Sequence, residues 1–279
     1  MKVVKSVAGI MALFIILFSL QINVSSCQKE VITDTLYIRD TVRIVDSSDC
    51  SCYDLSDGLV AYYNFNNGTL KDSSGYNNHI TVSNAVKTAD RFGRANNAYL
   101  FDGASSYMTV PNSASLNPTK AITLMATIKI KGYYSANCVN NQVFGKGWSD
   151  FINGFYEMRF GSTVGCNAVI DTSKELFGCA YGNLNARAGA SDNSFIQSNK
   201  WYNVVYTYAD GESRIYVDGV LKNTGLQTML FTPNDQELYI GKHGDPQYPY
   251  YFNGIIDEIR IYNKALCAAA VAQLYNTKQ

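Results

Sequence analysis

The loop at residues 241–254 holds the densest group of side chains that could do chemistry in this 279-residue chain. Its sequence, GKHGDPQYPYYFNG, combines aromatic rings, an imidazole and a carboxylate with two prolines that stiffen the backbone. Rigid aromatic faces can cover the apolar side of a sugar ring, and carboxylates can bond its hydroxyl groups. The predicted ligand contacts are His243, Asp245, Tyr248, Tyr250 and Tyr251. The alternative is that these rings only pack on one another.

Trp148 is the second aromatic candidate for ligand binding. It follows a Gly-Lys-Gly sequence, and Tyr133 and Tyr134 are nearby in the chain. We include Trp148 in the predicted binding site, with packing inside the domain as the alternative.

The turn Asp72-Ser73-Ser74-Gly75 offers a carboxylate, hydroxyl groups and exposed carbonyl oxygens. Calcium takes six to eight oxygen ligands at about 2.3–2.6 Å. The turn therefore indicates a structural calcium site with Asp72 and Ser74 as ligands. In the alternative, an Asx-turn, Asp72 hydrogen-bonds the neighbouring backbone instead.

Patterns that would indicate catalysis are missing from the sequence. Retaining glycoside hydrolysis needs two carboxyl groups about 5–5.5 Å apart. Glu157 stands alone in its predicted strand, while Asp257 and Glu258 are adjacent and should point to opposite faces. No G-x-S-x-G motif or Gly-rich phosphate loop is present. We predict that the protein is not an enzyme; a glycoside hydrolase or lyase is the alternative, if acids from different strands converge.

The charge balance argues against a nucleic-acid partner. Charged residues make up only 16% of the chain, with 23 basic against 23 acidic residues. No net field would attract nucleic acid or an anionic membrane surface. The 21 tyrosines favour strands and contact surfaces that are half apolar and half polar.

Residues 1–26 have the pattern of an export signal, with a basic start and an apolar run too short to span a membrane comfortably. The sequence Val24-Ser25-Ser26-Cys27 follows, and it resembles the lipobox of bacterial lipoproteins. The resemblance implies that Cys27 is lipidated and that this anchor is the only membrane contact; an ordinary cleavable signal is the alternative. We expect a cell-envelope location, at the outer membrane, where the protein could face the cell surface.

Residues 27–56 are predicted to be an extended linker between the anchor and the domain. They contain a six-residue repeat, DTLYIRDTVRIVD, without glycine or proline. A strand that joins the domain's sheet and an oligomerising stalk remain as alternatives.

The other six cysteines suggest up to three disulfides in an oxidising compartment. Cys166 and Cys179 are equidistant from Thr172-Ser173, so a hairpin turning there would bring them opposite each other. A metal-binding role for Cys50-Ser51-Cys52 is less favoured, because the chain has two histidines and no second C-x-x-C pair.

Residues 57–279 read as one all-β domain. Short runs rich in Val, Ile, Tyr and Phe predict strands at residues 59–65, 98–101, 108–110, 122–130, 142–144, 155–160, 201–208, 213–217, 237–240 and 255–262. The turn signals between them include the pairs Asn67-Gly68, Asp102-Gly103, Asp210-Gly211 and Asp218-Gly219, which are typical of hairpins. Apolar residues at helical spacing appear only at the end, in residues 266–275. The pattern predicts a two-sheet antiparallel jelly-roll β-sandwich with a short C-terminal helix.

Four stretches, in order, resemble the laminin-G-like jelly rolls of the concanavalin A-like lectin and glucanase superfamily. They are residues 57–79, 100–111, 201–219 and 252–266. The resemblance implies a cell-envelope lipoprotein with a non-catalytic domain that binds carbohydrate. A surface protein is the alternative partner, in an adhesive or structural role. The sequence departs from the family at Thr127, where relatives often have tryptophan, and at Cys267, where the last helix usually starts with serine.

The resemblance also implies roles for single residues. Relatives often bind calcium with the 72–75 turn and the aspartate of the last strand, here Asp257. The first and last strands lie side by side and antiparallel in this fold, which places Cys50 or Cys52 near Cys267; we predict a Cys52–Cys267 disulfide. Trp201 and Phe252 stand at core positions of the family.

Overall fold

A computed structural model describes residues 54–132, 140–147, 154–161, 176–181, 187–192 and 196–277. Within these residues, fifteen strands form two antiparallel sheets, and one helix follows the last strand. This confirms the predicted β-sandwich with a C-terminal helix. In the described part of the chain, no helix has the length and apolar character needed to cross a membrane.

The strands, in chain order, are β1 (Leu59–Tyr63), β2 (Val82–Ser83), β3 (Val86–Thr88), β4 (Ala98–Asp102), β5 (Met108–Val110), β6 (Ala121–Ile130), β7 (Asn140–Lys146), β8 (Tyr156–Gly161), β9 (Leu176–Tyr181), β10 (Arg187–Asp192), β11 (Trp201–Ala209), β12 (Glu212–Val217), β13 (Val220–Leu226), β14 (Leu238–Ile240) and β15 (Asn253–Tyr262). The helix α1 is Ala268–Asn276.

The eight-stranded sheet has the order β13-β12-β11-β6-β15-β4-β3, with β1 also paired to β15. The seven-stranded sheet has the order β10-β9-β8-β7-β14-β5-β2. The first and last strands pair antiparallel, with Leu59 opposite Tyr262, as the family resemblance implies.

Alternate residues of the strands build the core between the two sheets. On β6, Leu124, Ala126 and Ile128 are fully buried in it. On the neighbouring strand β11, Tyr202 and Val204 point the same way. Because side chains alternate along a strand, the residues between them reach the outer face of the eight-stranded sheet.

Two of the four predicted Asx-Gly turns are tight hairpins. Asp210 and Gly211 join β11 to β12, and Asp218 and Gly219 join β12 to β13, all with positive φ angles. The pair at Asp102 is different, because β4 and β5 belong to different sheets. There the Asp102 carboxylate accepts bonds from three successive backbone N–H groups at 2.8–2.9 Å and stabilises a crossing between the sheets. The Asn67-Gly68 pair lies in a short 3₁₀ turn.

Helix α1 packs on the outer face of the eight-stranded sheet. Its apolar residues Val271 and Leu274, together with Leu266 just before the helix, share a cluster with Met125 and other outward residues of the sheet. Cys267 occupies the N-cap position but makes no side-chain capping hydrogen bond. The helix covers only part of this face, and the face beyond its C-terminal end contains a cleft.

Candidate functional site

A cleft of about 510 Å³ lies on the outer face of the eight-stranded sheet, beside the C-terminal end of α1. Its lining includes Arg91, Phe92, Thr127, Trp201, Asn203 and Tyr275. The volume falls within the range of about 300–1,000 Å³ that is common for small-molecule sites. The mixture of aromatic rings with amide and hydroxyl groups suits a ligand with one apolar and one polar side.

Trp201 is the largest aromatic side chain of the cleft. Its prediction as a core residue is wrong, because it is only half-buried and points away from the core on the first position of β11. The Lys129 ammonium lies 4.9 Å from the centroid of its ring. Thr127 lines the cleft where relatives often have tryptophan, and its small side chain leaves room there.

Asn203 lies at the base of the cleft and is only 6% exposed. Its Nδ2 donates to Thr127 Oγ1 at 3.2 Å, and its backbone N–H donates to Asp218 Oδ1 at 2.9 Å. Its side-chain oxygen Oδ1 is buried and has no hydrogen-bond partner. An unsatisfied buried acceptor costs about 1–3 kcal/mol, which a ligand donor that reached it would recover.

A pair of carboxylates holds Arg91 next to the cleft. Arg91 Nη1 lies 2.9 Å from Asp257 Oδ2 and 3.4 Å from Glu258 Oε2. The prediction that these adjacent acids point to opposite faces is wrong, because a bulge in β15 between Ile256 and Glu258 turns both toward the same guanidinium. Burial raises the pKa of Asp257 to about 6. Neither carboxylate lines the cleft, so both serve to position the arginine.

The predicted calcium ligands are divided between two places. Asp72 accepts hydrogen bonds from the backbone of Tyr62, Ser74 and Asn78 at 2.9 Å each, and from the Ser74 hydroxyl at 2.8 Å. These bonds describe the Asx-turn that was the alternative. Asp257 contacts Arg91 instead. Among the described residues, no group of three His, Cys, Asp or Glu side chains is arranged to hold a metal ion. Calcium binding stays a prediction. A melting temperature that does not change when calcium or a chelator is added would contradict it.

In the loop at residues 241–254, which was predicted to bind a ligand, the aromatic rings pack mostly on one another. Tyr248 stacks on Tyr250 with ring centroids 6.1 Å apart, and Tyr250 lies 5.4 Å from the His243 ring. His243 also contacts Phe155 edge-on at 5.9 Å, and the Asp245 backbone N–H approaches His243 Nδ1 at 3.4 Å. Burial lowers the pKa of His243. Tyr250 and His243 are buried, which leaves Tyr248, Tyr251 and Asp245 as the half-exposed members of the predicted site.

The predicted Cys166–Cys179 disulfide stays a prediction, because Cys166 lies outside the described residues. Cys179 is buried, and its Sγ lies 3.5 Å from Glu157 Oε1. The pairing of β8 with β9 places Glu157 opposite Cys179. Cys267 is disulfide-bonded, but Cys50 and Cys52 lie outside the described residues, so the Cys52–Cys267 pairing stays a prediction. Cys27, Trp148 and Cys166 also lie outside the described residues.

A family model of the concanavalin A-like lectin/glucanases superfamily matches residues 102–272, which is more than half of the chain. The chain belongs to this superfamily. The match confirms the resemblance noted in the sequence. It covers the cleft-lining residues except Arg91 and Phe92 and those from Leu274 to Thr277. No curated protein matches this chain in sequence.

Solved structures of similar fold include binding domains of other proteins. Domain 4 of AbnA, a GH43 extracellular arabinanase from Geobacillus stearothermophilus, in complex with arabinotriose, has a TM-score of 0.55 at 18% identity, covering 78% of this chain and 98% of that one. The binding domain of botulinum neurotoxin DC in complex with SialylT has a TM-score of 0.60 at 16% identity, covering 79% and 52%. This chain spans about half the length of the botulinum neurotoxin binding domains it matches. At these identities the likeness shows the fold alone.

Proposed function

We propose that this protein is a non-catalytic carbohydrate-binding protein and that the cleft beside Trp201 is its binding site. The observation that carries the proposal is that one cleft is lined both by the partly exposed ring of Trp201 and by Asn203, whose side-chain Oδ1 has no hydrogen-bond partner. A sugar ring presents C–H groups on its faces and hydroxyl groups at its edge. A face would stack on the Trp201 ring, and a hydroxyl group would hydrogen-bond Asn203. The arabinotriose complex of AbnA domain 4 supports a saccharide ligand on this fold.

Trp201→Ala tests the proposal directly. We expect the full-length protein to bind glycans on an array, and we expect the substitution to weaken the tightest interaction at least about tenfold, as for a buried aromatic contact. Isothermal titration calorimetry measures the change, and circular dichroism checks that the sheets remain intact. Tyr251→Ala is the matched control, because it removes a partly exposed ring from the 241–254 loop.

The outcomes separate the competing functions. If Tyr251→Ala abolishes binding and Trp201→Ala does not, the site is the loop predicted from the sequence. If no glycan on the array binds and a purified surface protein binds saturably, the adhesive role is favoured. The binding domain of botulinum neurotoxin DC, which has a similar fold, forms a complex with a protein, rat synaptotagmin II. Release of reducing ends from a bound glycan would contradict the non-catalytic assignment.

We also propose that the protein is anchored in the cell envelope through a lipid on Cys27, at the outer membrane. The support is the sequence pattern around Cys27. Metabolic labelling with palmitate should mark the wild type and not Cys27→Ala. Equal labelling of both proteins would contradict the anchor, and membrane fractionation would locate the labelled protein.

A further inference from the structure

We propose that the Trp201 cleft binds a chain of two or more sugar residues, and that Tyr275 of α1 is its second aromatic contact. This inference rests on the proposed carbohydrate-binding function and specifies the size of the ligand. Tyr275 is 49% exposed and lines the same cleft as Trp201. The two rings belong to different elements, because Trp201 begins β11 and Tyr275 lies in the last turn of α1.

The turn between β12 and β13 fixes the position of Tyr275. Gly219 in this turn has a φ angle of +77°, and a Cβ atom added there would stand 3.3 Å from Tyr275 Cβ and 3.5 Å from its Cδ1. The glycine thus lets the end of α1 pack closely on the turn. Asp218, the residue before it, accepts a hydrogen bond from the Asn203 backbone N–H at 2.9 Å. Tyr275 therefore stands beside the part of β11 that contains Asn203.

Trp201 and Tyr275 flank Asn203 from different directions. Trp201 lies on the same face of β11 as Asn203, two residues or about 7 Å away along the strand. Tyr275 lies across the strand, on the side where β12 pairs with β11, and Lys129 of β6 is the partner of Trp201 on the opposite side. A sugar residue that stacks on Trp201 and bonds Asn203 would leave the Tyr275 ring to a neighbouring residue of the same chain.

The size of the cleft agrees with a ligand of more than one ring. Clefts of about 300–1,000 Å³ enclose drug-sized molecules, and a single sugar residue is smaller than these. The volume here is about 510 Å³. Phe92 is another exposed aromatic residue of the cleft, but the guanidinium carbons of Arg91 and Arg94 already lie 4.7 and 5.1 Å from the centroid of its ring. Tyr275 is therefore better placed than Phe92 to take the second sugar residue.

The experiment measures affinity as a function of chain length. Cello-, xylo-, manno-, galacto- and arabino-oligosaccharides, each from the monosaccharide to the tetrasaccharide, are titrated into the full-length protein by calorimetry. We expect the trisaccharide of the series that binds to be at least about tenfold tighter than its monosaccharide, as for one added aromatic contact. Tyr275→Ala should remove most of this gain and change the affinity for the monosaccharide by less than about twofold. Trp201→Ala should weaken the binding of both.

Two further variants separate ligand contact from a structural effect on α1. Tyr275→Phe keeps the ring and should keep the gain with chain length. Tyr76→Ala is the matched control, because Tyr76 is 53% exposed and does not line the cleft, and it should also keep the gain. Thermal unfolding checks that each variant is folded.

The outcomes distinguish this inference from the proposed function. Equal affinity for the monosaccharide and the longer chains, or a Tyr275→Ala protein that keeps the full gain, would overturn the inference and leave the carbohydrate-binding function intact. A loss of affinity with Tyr275→Phe as large as that with Tyr275→Ala would also overturn it, because the ring would then not be the contact. If no saccharide binds at all, the proposed function fails, and the inference fails with it.

Discussion

The side-chain amide of Asn203 has two chemically different ends, and one of them lacks a partner. One end bonds the Thr127 hydroxyl, and the other is buried without a partner. Because a hydroxyl group can donate or accept, rotating the amide by 180° would keep the Thr127 bond and leave the nitrogen unsatisfied instead. Either orientation leaves one amide atom of this cleft-lining residue without a hydrogen bond. A sugar hydroxyl can satisfy both, which suits a carbohydrate better than a ligand with only acceptors.

This arrangement predicts that stability and binding oppose each other at Asn203. Replacing both partners, with Asn203→Leu and Thr127→Val, removes the bond and the unsatisfied atom together, so we expect the free energy of unfolding to stay the same or rise by up to about 1 kcal/mol. Glycan affinity should fall about tenfold or more. Urea denaturation and calorimetry measure the two effects. Unchanged affinity with full stability would show that Asn203 does not contact the ligand.

At the scale of single elements, Lys146 ties the end of β7 to the segment that precedes β14. Its side chain is fully buried, and its Nζ donates to the backbone and side-chain oxygens of Asn234 at 3.0 and 2.5 Å. Burial lowers the pKa of Lys146 to about 8, although the nearby Asp235 charge opposes the shift. The folded protein therefore binds this proton less tightly than the unfolded chain does.

The depressed pKa predicts a pH dependence with a definite sign. Between about pH 8 and 10.5 the unfolded chain holds more protons at this lysine, so its contribution to stability is largest above that range and is lost as the pH falls toward 8. We expect wild type to gain about 1 to 2 kcal/mol relative to Lys146→Met between pH 8 and 9.5. Urea titrations of both proteins at each pH measure the difference. Parallel pH curves would mean that the pKa of Lys146 is not depressed.

At the scale of the whole molecule, the contact between Gly241 and Phe101 joins the two sheets. Gly241 follows β14 of the seven-stranded sheet, and Phe101 lies on β4 of the eight-stranded sheet. A Cβ atom at position 241 would stand 2.2 Å from the Phe101 ring, and the φ angle there is +79°. The absence of a side chain therefore lets the backbone of the 241–254 loop close onto the core.

Gly241→Ala should destabilise the protein for two reasons: the backbone at position 241 has a positive φ angle, and the added methyl group would overlap the Phe101 ring. Gly93→Ala is a matched control, since Gly93 has a φ angle of +80° and no atom within 4 Å of an added Cβ. We expect Gly241→Ala to cost about 1–3 kcal/mol more than Gly93→Ala, because the buried Phe101 ring must move. Thermal and urea unfolding give the comparison. Equal losses would indicate that backbone strain alone limits position 241.

The sequence alone was enough for the fold class. Alternating apolar residues, β-branched and aromatic runs and Asp-Gly turns are local signals, and they located β1, β6, β11, β12 and β15 to within a few residues. Strands β2, β3, β9, β10 and β13 were not predicted. β2 and β3 have only two and three residues. The other three sequences, LFGCAY, RAGASD and VLKNTGL, are rich in small or polar residues, and they form strands because they pair with neighbouring strands.

The location of the candidate binding site could be determined only from the tertiary structure. The sequence could identify which residues could bind a sugar, but the exposure of each aromatic depends on how the elements pack. Trp201 reaches the surface because helix α1 ends before covering it, and the 241–254 rings are partly buried because they stack on one another. The residue pattern did not predict the bulge in β15 that turns both Asp257 and Glu258 toward Arg91. Periodicity along a strand is local, whereas a cleft is made by residues far apart in the chain, so only the packed fold could decide where a ligand would bind.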